Sequence, residues 1–200
     1  FTFDNGNKYV GTFKNDKYHG QGTYTYLNGD QYIGFWRNGN QHGKGAENFS
    51  SGNKFVGNYE NGKRTGEGTF SFANGNEYIG DFKNDRYHGQ GTLTTSNGAK
   101  YFGVWENGKM HGNGEFFFVN GDVYKGNFKD DQIHGTGIYT KPNGTKHIGE
   151  WVNAKREGKG TETFPSGSVY KGDYKGGKRT GTGMFIFSSG NKYAGQFKDG

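Results

Sequence analysis

A Tyr-x-Gly-x-aromatic unit starts at Tyr9, Tyr32, Phe55, Tyr78, Tyr101, Tyr124, His147, Tyr170 and Tyr193, and every step is 23 residues. There is no insertion or deletion anywhere in this phase. A fixed period of this length means stacked supersecondary units that bury their apolar sides against one another, not one closed globule. Arrays of this kind present extended surfaces and rarely build a single catalytic pocket. Eight full units run over 9–31, 32–54, 55–77, 78–100, 101–123, 124–146, 147–169 and 170–192, with partial units at 1–8 and 193–200. The chain is expected to be one array over 1–200 and, because it starts and stops inside a unit, a piece of a longer protein.

Numbering each unit from its leading aromatic exposes the architecture. Glycine recurs at positions three, twelve, fourteen and twenty-one, and these columns hold 34 of the 40 glycines. Aromatics dominate positions one, five, sixteen and eighteen, which hold 30 of the 35 aromatic residues. Positions one, three and five share a parity, and so do twelve, fourteen, sixteen and eighteen. In strands each set therefore lies on one face. Aromatics and glycines fall together on one side, and residues such as Thr12, Lys14, Gln21, Thr23 and Thr25 on the other. That is the period-two signature of half-buried strands. No segment shows sustained helical spacing.

Composition needs this pattern to be read correctly. Mean hydropathy is −1.06, and Leu, Ile, Val and Phe make up only 33 of 200 residues. Such numbers alone suggest disorder. The net charge of +6 is too small for strong self-repulsion, however, and the apolar content is concentrated in strictly spaced rings. Each ring offers about 150–250 Å² of buriable surface. Cysteine is absent, which rules out disulfides and thiolate metal sites. No apolar run approaches the roughly 20 residues of a membrane-spanning helix, and no signal-peptide core is visible.

Turn signals bracket both strands of every unit. Asn-Gly occurs at 28–29, 74–75, 97–98, 120–121 and 143–144, and in the other connection at 38–39, 61–62 and 107–108. This dipeptide favours the positive φ values of tight hairpin turns. The expected fold is all-β: an elongated, twisted, single-layer antiparallel meander of stacked hairpins, with about 17 or 18 strands at about 4.8 Å spacing.

The run Tyr101-Phe102-Gly103-Val104-Trp105-Glu106-Asn107-Gly108-Lys109-Met110-His111-Gly112-Asn113-Gly114 resembles the MORN (membrane occupation and recognition nexus) repeat, and the likeness extends in phase over the whole chain. The resemblance implies an interaction or scaffold role, often in cytoskeletal, ciliary or membrane-junction settings. Some family members join these repeats to lipid kinases or methyltransferases, and lipid binding has been attributed to the family. The chain departs from the pattern most between 141 and 162. There His147 replaces the leading Tyr, Ala154 the turn Gly, Glu157 the His before Gly158, Glu162 an aromatic and Lys141 another. That stretch is expected to be a bend, a softer joint or a specialised contact.

Candidate sites follow from the columns. His19, His42, His88, His111 and His134 share position eleven, but neighbours two strands apart stand about 10 Å from each other. A single metal ion needs ligand atoms at about 2.1 Å, so these histidines are expected to pack in the hairpins, and no metal or cofactor is expected. On the aromatic face, Tyr32, Trp36, Tyr101, Trp105, Trp151 and Tyr170 are either simply core or anchors for a partner peptide or helix, or for a second copy of the chain. Positions nine and ten place Lys63, Arg64, Arg86, Lys109, Lys155, Arg156, Lys178 and Arg179 at one end of each hairpin. They form a broken basic stripe suited to solubility or to anionic lipid. There is no catalytic constellation: no Gly-x-Ser-x-Gly elbow, no phosphate loop, and the recurring Gly-x-Gly precedes a strand rather than a helix. Nucleic acid is not expected, for lack of a recognition motif.

The expected function is a non-enzymatic scaffold for protein partners, cytoskeletal or ciliary by the resemblance alone, in the cytoplasm or at a membrane's inner face. The alternatives are peripheral binding to anionic membranes through the basic edge, and an accessory role beside an enzyme domain such as a lipid kinase.

Overall fold

A computed structural model describes residues 1–200, and every regular element in it is a β-strand. The seventeen strands alternate between a short and a long type. Contacts divide the chain into two units, Phe1–Ser96 with Trp105–Gly108, and Asn97–Val104 with Lys109–Gly200. The first holds β1 (Lys8–Lys14), β2 (Lys17–Thr25), β3 (Gln31–Arg37), β4 (Asn40–Asn48), β5 (Lys54–Glu60), β6 (Lys63–Ser71), β7 (Glu77–Lys83) and β8 (Arg86–Thr94). Strand β9 (Lys100–Glu106) contributes to both. The second holds β10 (Lys109–Phe117), β11 (Val123–Lys129), β12 (Gln132–Thr140), β13 (Lys146–Val152), β14 (Lys155–Thr163), β15 (Val169–Lys175), β16 (Lys178–Ile186) and β17 (Lys192–Phe197). Within each unit every strand pairs antiparallel with its sequence neighbours, as expected of a hairpin meander.

Each hairpin joins a seven-residue strand to a nine-residue one, and the difference is taken up at one place. In β1–β2 the partners step from Gly11↔Gly22 directly to Thr12↔His19, so Gly20 and Gln21 are skipped. Gly20 sits at φ +68, a conformation that glycine reaches without strain, and this glycine marks the bulge in every full repeat. Parity survives the skip. Position ten therefore faces the same way as positions twelve, fourteen and sixteen, and pairs with the aromatic at position five: Phe13↔Tyr18, Trp36↔Gln41, Tyr59↔Arg64.

The tight turns carry positive φ at both central residues, as at Asn38 (51) and Gly39 (88), the type I′ geometry that Asn-Gly favours. Successive turns are tied together: Gly39 N–H donates to Tyr18 O, and Gly62 N–H to Gln41 O. At the other end of the hairpins, the side chain at position twenty-two accepts from a backbone N–H in the next repeat at several junctions. Asn7 Oδ1 takes Leu27 N–H, Asp30 takes Ser50 N–H and Asn53 takes Ala73 N–H, at 2.7–2.9 Å.

Candidate interaction surface

The aromatic face has two layers. In the inner one, each position-one ring lies flat over the Gly-Gly pair of its own hairpin. A Cβ on Gly22 would fall 2.4 Å from Tyr9 Oη, and one on Gly11 2.6 Å from it. The phenol then donates to the backbone at position four: Tyr9 to Thr12 O (3.0 Å), Tyr32 to Phe35 O (3.0 Å), Tyr101 to Val104 O (2.9 Å), Tyr170 to Asp173 O (3.1 Å). The ring at position five meets it edge-on, and so does its counterpart in the next repeat. Tyr32 touches Trp36 at 5.0 Å and Tyr59 at 5.1 Å between ring centroids, both near perpendicular. Such edge-to-face contacts add about 0.5–1.5 kcal/mol each beyond the area they bury.

This layer contains all six aromatic residues singled out above, and it alters their role. Tyr32 and Tyr170 are fully buried, Tyr101 is 1% exposed, Trp36 and Trp105 4% and Trp151 7%. As the sheet stands they offer a partner almost no surface; neighbouring rings cover them. Apart from Phe13 and Tyr193 in the terminal repeats, the accessible rings of this face belong to positions sixteen and eighteen. They include Tyr26, Phe49, Phe70, Phe72, Phe116, Phe118 and Phe187, half-buried or exposed.

The basic stripe also separates into two groups. Lys63, Arg86, Lys109, Lys155 and Lys178, at position nine, are exposed on the turn edge. Lys109 and Lys178 there face Asp130 and Asp199 at 3.5 and 3.4 Å. Arg64, Arg156 and Arg179, at position ten, turn instead onto the aromatic face. Arg64 lies 5.4 Å from the centroids of both Phe55 and Phe70 and pairs with Asp85 at 3.2 Å. Arg179 repeats this over Tyr170 (5.0 Å) and Phe185 (5.7 Å). Planar guanidinium groups stack on rings and bury their stems, so a basic residue fits where an aromatic would. The signal was present in the sequence: Tyr18 and Tyr87 occupy the same column.

Between 146 and 179 the inner layer is rebuilt. His147 lies over Gly149 and Gly160 where the other repeats carry a phenol or phenyl ring, and neither ring nitrogen has a hydrogen-bond partner. Burial, with Arg156 nearby and Glu162 opposing, lowers its pKa to about 4. Glu162 replaces a ring and is buried. It accepts from Arg156 (3.0 Å), Arg179 (2.9 Å) and the Tyr174 hydroxyl (3.0 Å). Burial works to raise its carboxyl, but the Arg179 hydrogen bond and the charge of Arg156 prevail and hold it below the usual value.

The opposite face was not singled out by the sequence reading. Position two places Val10, Ile33, Val56 and Ile79 in a row across the first unit, 73%, 44%, 61% and 52% exposed. Beside it runs an open groove of about 810 Å³. Its floor is the backbone of Gly34, Gly45, Gly57, Gly68 and Gly80, and its far wall is polar, with Lys44, Glu67 and Asp81. In the second unit the same row is interrupted by Lys125 and Lys171 beside Ile148. The position-eleven histidines also face this side, as the Thr12↔His19 and Phe35↔His42 pairs show. No three potential ligand residues come together to hold a metal ion.

The MORN repeat family model matches eight times, at residues 9–31, 32–54, 55–77, 78–100, 101–123, 124–146, 147–169 and 170–192. The chain belongs to the MORN-repeat family. No curated protein sequence was found to match it. Among solved structures, this MORN array is similar to the TCP10 domain of Danio rerio CPAP. Identity is 11%, coverage 100% of this chain and 98% of that one, and the TM-score 0.52. A point mutant of that domain gives 13% identity, coverage of 99% and 98%, and a TM-score of 0.50. The TCP domain of Drosophila melanogaster SAS-4, solved with a proline-rich motif of Ana2, gives 12%, 75% and 81%, and 0.47. At these identities the likeness is one of fold.

Proposed function

We propose that this MORN array is a non-catalytic scaffold that binds a protein segment along the glycine-floored groove of its first unit. The exposed row Val10, Ile33, Val56 and Ile79 carries the reading. The four aliphatic side chains stand on alternate strands, with Thr23, Ala46 and Thr69 between them, and form an exposed, mainly apolar stripe on a sheet braced from behind by locked rings. The row is one residue wide and bounded by Lys44, Glu67 and Asp81, so it suits a narrow segment better than a broad flat surface. Peptides selected from a displayed random library for binding to the chain provide the test. Ile33→Glu with Val56→Glu should abolish capture, whereas Tyr26→Ser with Phe72→Ser on the aromatic face should leave it intact. The reverse pattern would transfer the site to the outer aromatic layer.

Peripheral binding to anionic lipid has less support, because Arg64, Arg156 and Arg179 are drawn off the turn edge and Lys109 and Lys178 share it with aspartates. Cosedimentation with acidic vesicles at two salt concentrations measures it directly. A cytoskeletal or ciliary setting rests on the family resemblance.

A further inference from the structure

On the groove face, position thirteen of each long strand stands opposite position four of the next strand. In the second unit three of these pairs are complementary. Lys159 meets Asp173 at 2.5 Å, Asn127 Nδ2 donates to Asn113 Oδ1 at 2.7 Å, and Gln196 Nε2 donates to Thr182 Oγ1 at 3.2 Å. In the first unit the same register sets two acids against each other, Glu67↔Asp81. Like charges directly opposite one another weaken a sheet. Asp81 Oδ2 accepts from Gln90 N–H at 3.1 Å, and Glu67 is exposed. Both acids lie on the polar wall of the open groove, across its glycine floor from Ile33, Val56 and Ile79. Lys44, the one cation of the lining, stands two strands from Glu67, about 9.6 Å away. The groove therefore offers an apolar wall on one side and a wall with a surplus of negative charge on the other.

Its dimensions select the conformation of an occupant. The groove crosses the strands from β2 to β8, about 29 Å at six strand spacings. Spread over that length, 810 Å³ leaves a channel much narrower than the roughly 10–12 Å of a helix, so an extended chain fits and a helix does not. Ile33, Val56 and Ile79 recur every second strand, at about 9.6 Å. A β-strand returns a side chain to the same face after only about 6.8 Å. A polyproline II conformation does so every third residue, after about 9.3 Å, which matches the row. We propose, building on the groove reading above, that the groove holds an extended segment of a partner protein with an apolar side chain at every third residue and a lysine or arginine beside it, seated between Glu67 and Asp81. One column of such a segment meets the aliphatic wall, the next meets the acidic wall, and the third faces water. A guanidinium has five donors, enough for both carboxylates, and its charge relieves their opposition.

Two fluorescein-labelled peptides, four copies of Leu-Arg-Ser and four copies of Leu-Glu-Ser, test this by fluorescence anisotropy. The chain carries a net charge of +6, so unspecific attraction favours the glutamate peptide. The arginine peptide is nonetheless expected to bind about tenfold more tightly. Glu67→Gln with Asp81→Asn should erase that preference, and Glu60→Gln, which removes an acid outside the groove, should preserve it. A peptide of the same composition with its leucines at alternate residues should bind several-fold more weakly than the arginine peptide. If library capture depends on Ile33 and Val56 but arginine is not preferred, or its preference survives Glu67→Gln with Asp81→Asn, the groove stands and this choice of occupant falls. Equal binding of the rearranged peptide overturns the three-residue spacing, and no binding of the arginine peptide overturns the proposal as a whole.

Discussion

The position-one phenol both fills space and ties the backbone. Its ring is flat because two glycines let it be, and its hydroxyl satisfies a carbonyl at position four. Gly137 makes the tolerance plain: a Cβ there would sit 2.2 Å from Tyr124 Oη. Gly137→Ala must displace the ring and should cost more than about 3 kcal/mol, read as the fall in the denaturation midpoint. Tyr124→Phe removes only the hydroxyl, which donates to Asn127 O at 3.2 Å and reaches Thr136 O at 3.5 Å, and Phe55 already lives without one. It should cost about 1 kcal/mol. His147 sets a pH dependence whose sign is fixed. The imidazole titrates at about 4 in the fold against 6.5 in the unfolded chain. Between these values the unfolded chain takes up a proton that the fold refuses, so stability is whole above 6.5 and declines as pH falls towards 4. At about 1.4 kcal/mol per tenfold, the loss reaches roughly 3 kcal/mol at most. His147→Tyr should remove that part of the slope in urea titrations repeated across the range.

At the scale of strands and hairpins, the alternation of rings with glycines reveals the meander, and Asn-Gly its turns, because both features answer to the backbone alone. The long strand was harder to read. Its start at position nine is hidden by charged residues such as Lys63-Arg64, which look like a solvated turn. The skipped glycine at position twelve keeps the parity, so position ten belongs inside, and arginine occupies it by stacking. The sequence left Trp36, Trp105 and Trp151 as core or as anchors, since the rings of adjacent repeats that cover them are not placed by the period alone. The same set of changes occurs twice, five repeats apart: Glu47, Tyr59 and Arg64, then Glu162, Tyr174 and Arg179. The two sets are wired differently. Arg64 goes to Asp85, and Glu47 meets Gln41 Nε2 at 3.4 Å, whereas Glu162 holds two arginines and a hydroxyl. Glu162→Gln strands two cations beside a neutral amide and should cost about 2–4 kcal/mol, against less than about 1 for Glu47→Gln. Chemical denaturation of the two variants side by side gives that ratio.

For the molecule as a whole, the 23-residue period makes stability close to a sum over neighbours, since the contacts between elements are concentrated between strands adjacent in sequence. Within the first unit the links between repeats are alike in kind: a backbone ladder, a turn-to-turn hydrogen bond, an edge-to-face ring contact, and a side chain at position twenty-two reaching forward. Removing residues 55–77 takes out one whole hairpin and brings Lys54 to Tyr78 in the same phase that Lys54 had to Phe55. The Phe82 ring then meets Tyr32 where Tyr59 did, and Asn53, which reached Ala73, faces Ser96, the residue that Asn76 had reached. The shortened chain should keep its β-sheet circular dichroism and a single cooperative melt, with a modest loss of stability. Removing 55–65 instead cuts one strand out of the hairpin and forces β6, which ran parallel to β4 two strands away, to reverse and pair with it antiparallel. That chain should lose cooperative melting altogether. If both deletions melt alike, the repeats are not the independent units that the period describes.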